Sequence, residues 1–125
     1  MKAVQFSEYG GPEVLGLVEV AEPHAGPSQV RIAVRAVGVN LSDLMKIRTG
    51  RWKNEPIPLP SGVGVEGAGV VDEVGAGVTH VSIGDAVFGC GFNMLAQYAV
   101  LRPGVWSRKP DELPFEEAGG FSVVV

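Results

Sequence analysis

The chain has 125 residues, a net charge of −4, 18 glycines, 9 prolines and a single cysteine. At roughly 100 to 200 residues per domain, that length allows one domain with its own core and excludes two. An acidic balance without a Lys/Arg run leaves no electrostatic footprint for nucleic acid or an anionic membrane surface, and Cys90 alone makes neither an intrachain disulfide nor a multi-cysteine zinc site.

Glycine and proline together make up about a fifth of the chain, against a usual share of roughly 12%. Hydrophobic residues reach 46%, so many short strands joined by sharp turns fit the composition better than disorder. The N-terminus lacks the apolar core of a signal peptide, and no run of 18 apolar residues is present to span a bilayer. With one cysteine, a reducing compartment is the default and the cytoplasm the expected location.

In chain order, Lys2–Phe6 reads as a first strand, followed by a turn at Ser7–Pro12 and a second strand over Leu15–Val20. Pro23–Pro27 breaks the chain. From Gln29 to Val37 apolar residues alternate: Val30, Ile32, Val34 and Ala36 fall on one face, Arg31, Ala33, Arg35 and Val37 on the other. Asn40 then suits an N-cap with Asp43 three residues on. Leu41, Leu44, Met45 and Arg48 share a face at helical spacing, and Gly50 suits a left-handed C-cap. Pro56–Pro60 enforces extended backbone. Strands follow at Gly67–Glu73, Asp85–Gly89 and Ala96–Leu101, the last interrupted at Pro103-Gly104, and Pro114 opens a short helix that Gly119 and Gly120 weaken. Phe121–Val125 is an apolar end without cap or charge, as in a chain cut rather than finished.

Little of this carries chemistry by itself. His24 and His80 lie far apart with no ligand at metal spacing and read as solvated surface residues. Cys90 sits between glycines without a local base, and no Gly-x-Ser-x-Gly elbow occurs. Gly62–Gly67 matches a bare Gly-x-Gly-x-x-Gly string, but strand-like residues follow it where a phosphate site requires a helix N-terminus. Close backbone packing in a small barrel is the better account of these glycines. Asn40, Asp43, Trp52 and the Gly62–Gly69 segment form one constellation able to line a cleft, although Asn40 and Asp43 also serve as simple helix caps.

Several segments in one order carry a resemblance. Tyr9–Leu15, Val37–Asp43, Leu59–Val71, Val74-Gly75, Gly84–Val87 and Ala96–Tyr98 resemble the medium-chain dehydrogenase/reductases, and within them the quinone oxidoreductase branch related to zeta-crystallin. The resemblance runs from Met1 to about Ala118. It implies a mainly β fold with short helices, a GroES-like, partly open β-barrel over 1–118, with 119–125 starting a connection toward a Rossmann domain absent from this chain.

It also implies hydride transfer from NADPH to quinones or enones, with Asn40 and Asp43 toward the cofactor and Met45 and Trp52 in the substrate cleft. Zinc-dependent relatives carry a Cys where this chain has Asn40 and a His where it has Val65, so no zinc is expected. Relatives often have a Tyr near Met45 or Trp52, and in related enoyl reductases a Tyr there is the proposed proton donor. Here the tyrosines are Tyr9 and Tyr98, and the proton donor is unassigned. Without a strand–Gly-rich turn–helix unit, the 125-residue chain is expected to be inactive and to bind NADPH weakly. A homodimer is implied for the full-length protein. Two other readings stand beside this one: an enoyl reductase of the same superfamily, and a stand-alone GroES-like module acting through protein contacts.

Overall fold

The computed structural model describes residues 1–123; Val124 and Val125, the end of the apolar run, lie outside the described residues. Nine strands and two short helices follow in the order β1 (Lys2–Phe6), β2 (Leu15–Glu19), β3 (Val30–Val37), α1 (Leu41–Thr49), β4 (Arg51–Trp52), β5 (Glu55–Pro56), β6 (Ser61–Gly62), β7 (Glu66–Val74), β8 (Ala86–Gly91), β9 (Tyr98–Arg108) and α2 (Phe115–Ala118). The four long strands β3, β7, β8 and β9 pair antiparallel in a ring that closes on itself, and β2-β1-β6 form a separate three-stranded sheet beside it. The chain is thus mainly β with short helices, built around a small barrel.

The barrel encloses Val30, Ile32, Val71, Val81, Val87, Met94, Ala99 and Leu101, all buried. A second cluster, Phe6, Ile47, Ile57 and Val63, joins β1, α1 and the extended proline segment. Tyr9 ties these parts together: its hydroxyl donates to the Ile57 carbonyl at 2.7 Å, and its ring covers Gly50. At Gly50 φ is +68°, and a Cβ would stand 2.6 Å from the Tyr9 ring. Tyr9→Phe removes one partly buried hydrogen bond and keeps the ring, so a loss of about 1 kcal/mol is expected in urea unfolding.

Alternation along β3 holds only to Val34. Val34 pairs with Gly69 and Ala36 with Ala68, which leaves Arg35 as an extra residue in a bulge. One extra residue reverses the facing of everything after it. Val37 therefore joins the packing around the barrel core, while Ala36 turns to Gly119 behind α2. A second irregularity sets Asp72 opposite no partner, and its carboxylate accepts from Arg31 Nε at 2.9 Å and Nη2 at 3.1 Å. This carboxylate raises the Arg31 guanidinium further above its ordinary value.

One sequence expectation needs correction. Pro103-Gly104 does not end the last strand: β9 continues to Arg108. Leu101 pairs with Val30 and Gly91, Trp106 with Gly89, and the bend between these blocks falls at Gly104, whose φ is +77°. Proline, which lacks a ladder donor, is tolerated at that break. In α1 the face holding Leu41, Leu44 and Met45 points outward, with Leu41 73% exposed. The buried residues of the helix are Asp43 and Ile47, so a carboxylate anchors it where an apolar stripe would be expected to.

The histidines lie at the surface as expected of them. His24 Nδ1 bonds the Glu73 carboxylate at 3.0 Å, which with the Ala25 N–H holds Glu73 below the ordinary carboxylate range. The His80 ring stacks on Trp106 at 4.9 Å. Cys90 is a half-buried residue of β8, and burial pushes its thiol up, which disfavours the reactive thiolate.

Candidate functional site

The site grows from the start of α1. Asn40 adopts extended backbone, as an N-cap does. The Asp43 carboxylate accepts from the Asn40 N–H at 3.0 Å and from the Gly64 N–H, 21 residues away, at 2.9 Å. A side chain that caps its own helix therefore also pins the glycine turn leading into β7. Gly64 has φ +94°, and a Cβ there would stand 3.0 Å from the Leu95 backbone nitrogen.

Asn40 uses its side chain in a different direction. Its Nδ2 donates to Glu66 Oε1 at 2.8 Å, and the other Glu66 oxygen accepts from the Val123 N–H at 2.7 Å. Glu66 is 1% exposed, so its two oxygens must find donors inside the protein. It links the α1 N-cap to the segment after α2, where the Phe121 ring packs edge-on to Phe88 at 5.6 Å. Glu66 was not singled out from sequence. A carboxylate in the otherwise apolar and glycine-rich stretch from Val63 to Val71 was the available signal.

Beside this cluster opens a cleft of about 430 Å³, lined by Lys46, Trp52, Ile57, Val65, Phe92 and Asn93 among others. Trp52 meets Phe92 edge to face, with centroids 6.5 Å apart, an attractive geometry for aromatic pairs. Lys46 donates to the Gly62 carbonyl at 2.8 Å, and burial lowers its ammonium below the ordinary lysine value while Asp43 opposes that shift. Of the four residues singled out from sequence, Asn40 and Asp43 come together at the helix start and Trp52 lines the cleft. Met45 does not line it and is 49% exposed on the outer face of α1. Neither tyrosine lines the cleft: Tyr9 is committed to Ile57, and the Tyr98 ring lies under the Arg31 guanidinium.

A closed ring of four antiparallel strands, a small second sheet and a capped helix flanking an apolar cleft define a domain of the GroES-like class. The family model for the alcohol dehydrogenase GroES-like domain matches residues 26–122, and the chain belongs to that family. A quinone oxidoreductase of Pseudomonas aeruginosa is 40% identical over 120 residues, which is 94% of this chain and 36% of that protein. Quinone oxidoreductase 1 of Escherichia coli is 40% identical over 84 residues, 67% of this chain and 25% of that protein. Among solved structures, the quinone oxidoreductase of Coxiella burnetii superposes with a TM-score of 0.85 at 33% identity, over 95% of this chain and 40% of that one. The Escherichia coli quinone oxidoreductase complexed with NADPH gives 0.85 at 30% identity, over 95% and 36%. The chain therefore spans roughly a third of the length of these relatives. No described helix is long and apolar enough to cross a membrane.

Proposed function

We propose that this domain is the substrate-binding half of a zinc-independent, NADPH-dependent quinone oxidoreductase acting on quinones or related enones in the cytoplasm. The observation that carries the reading is the Asn40 to Glu66 hydrogen bond of 2.8 Å. Asn40 and Val65 hold the two positions at which zinc-dependent relatives carry a thiolate and an imidazole. An amide committed to a carboxylate and an isopropyl group supply neither ligand.

The residues suit the nicotinamide end of a dinucleotide. Asn40 offers an amide and Asp43 fixes the turn beside an apolar wall. The phosphates do not fit here, because the Gly62–Gly67 string enters strand β7 and not a helix of its own, and at the neighbouring α1 N-terminus the Asp43 carboxylate already takes the Asn40 and Gly64 N–H groups. When bound, NADPH would supply a hydride, two electrons and one hydrogen, to the conjugated carbonyl system of the substrate. The phosphate site belongs to a Rossmann domain that the sequence after 119–125 would begin, with 1–118 as the domain described here. The 125-residue chain alone is therefore inactive and holds NADPH weakly.

Within this reading the cleft favours quinones over enoyl thioesters. Reducing the conjugated C=C bond of an enoyl thioester places a hydride at Cβ and requires a proton at Cα, and the Trp52 indole N–H is no acid at working pH. A reduced quinone takes its protons on oxygen, from water at an open cleft. The CurK enoyl reductase shares the fold, with a TM-score of 0.87 at 24% identity, and that likeness concerns the fold alone.

The natural gene product, assayed with NADPH against a quinone and a 2-enoyl thioester side by side, should reduce the quinone faster and carry no stoichiometric zinc. Preference for the thioester, or one zinc per chain, would overturn the assignment. For the 125-residue chain, a low-micromolar NADPH dissociation constant would overturn the expectation of weak binding.

A further inference from the structure

The cleft between Trp52 and Phe92 does not end at Phe92. A second cavity, of about 370 Å³, shares Phe92 and Asn93 with it and runs on between β1 and β9, past Gln5, Gln29 and Tyr98 to Arg102. Arg102 places its guanidinium 5.2 Å from the Phe92 ring centroid, which holds it over the lip the two cavities share. Three of the other basic side chains of this net-acidic chain are engaged elsewhere: Arg31 with Asp72, Arg108 with Asp85, Lys46 with the Gly62 carbonyl. Among the described residues no carboxylate lies within ion-pair distance of Arg102.

We propose that this second cavity is a subsite for the anionic tail of an extended substrate, whose flat carbonyl-bearing head occupies the cleft at Trp52 and whose carboxylate, or another small anion, meets Arg102. The proposal rests on the quinone reading of the cleft and adds to it the chemistry of the tail. A guanidinium held by an aromatic face and facing a cavity with amide and hydroxyl groups is suited to a planar anion. Asn93, at φ +56°, marks the passage between the two compartments. A neutral quinone fills only the first.

The test uses the 125-residue chain carrying Trp106→Phe, so that Trp52 is the one fluorescent indole. Three probes are titrated: 2,3-dimethyl-1,4-naphthoquinone, in which both ring carbons open to thiol addition by Cys90 are blocked; the analogue in which one methyl is replaced by a carboxyethyl arm; and the methyl ester of that arm. Saturable quenching by the dimethyl compound is expected, with the carboxylate binding about three- to five-fold tighter than its ester at low salt and losing that advantage at high salt. Arg102→Gln, an exposed position, should erase the difference between acid and ester. Equal binding of acid and ester, or a preference that survives Arg102→Gln, overturns the subsite and leaves the quinone reading standing. Absence of quenching by the dimethyl compound overturns the head-group reading, and the subsite falls with it.

Discussion

Gly69→Ala is expected to destabilise the domain by about 3 kcal/mol or more, a fall in Tm of roughly 10 °C followed by far-UV circular dichroism. Gly69 lies on β7 opposite Val34 of β3 and Val87 of β8. A Cβ there would run into the Ala33 carbonyl oxygen, with the Ala33 carbonyl carbon at 3.0 Å and Val34 Cα at 3.2 Å. Every one of these is backbone of a paired strand, so no rotamer change relieves the contact. Separation of β3 and β7 would open the ladder that carries the barrel. Gly16→Ala on β2 is the control, since nothing lies within 4 Å of its Cβ direction and loss of unfolded-state entropy makes it neutral or slightly stabilising. If Gly69→Ala unfolds at the same temperature as Gly16→Ala, the close approach of the two strands is wrong.

The same residue shows how far the sequence could be read. Gly67-Ala68-Gly69 belongs to a glycine-rich run that invites a phosphate-loop reading, and the strand-like residues after it were enough to reject that. Alternation and turn residues revealed β1, β2, β3 and the limits of α1, because burial on one face and the cost of positive φ act locally. Rotation of α1 was not legible. Leu41, Leu44 and Met45 make a plausible buried stripe at helical spacing, yet the Gly64 N–H needs an acceptor, and Asp43 supplies it from across the chain. The bulge at Arg35 escaped for a related reason, since it is visible only against the partner strand. In the site, Asn40 and Asp43 stood out as caps and Trp52 as a cleft residue. Glu66 did not, because both its partners, Asn40 and Val123, are remote in sequence.

Asp43→Ala is the second change with a large expected effect, about 2 to 4 kcal/mol in urea unfolding. Asp43 is 5% exposed and serves two backbone donors at once, Asn40 N–H and Gly64 N–H. Removing the carboxylate takes away the charge-assisted acceptor of the Gly64 N–H and leaves that donor buried and unpaired, which costs about 1–3 kcal/mol. The N-cap contributes roughly a further 1 kcal/mol through the end of the helix. Asp43→Asn separates these terms: its one carbonyl oxygen can keep Gly64 or Asn40 but not both, so an intermediate loss is expected. The site provides the second readout. Lys46 is held between burial, which lowers its ammonium, and Asp43, which raises it. Without the Asp43 charge the Lys46 pKa should fall further, detectable as a shifted Nζ titration by NMR in the folded Asp43→Asn variant. An Asp43→Ala protein as stable as the parent would show that the Gly64 turn holds without Asp43. An unshifted Lys46 titration in Asp43→Asn would show that the helix start and the cleft are electrostatically independent.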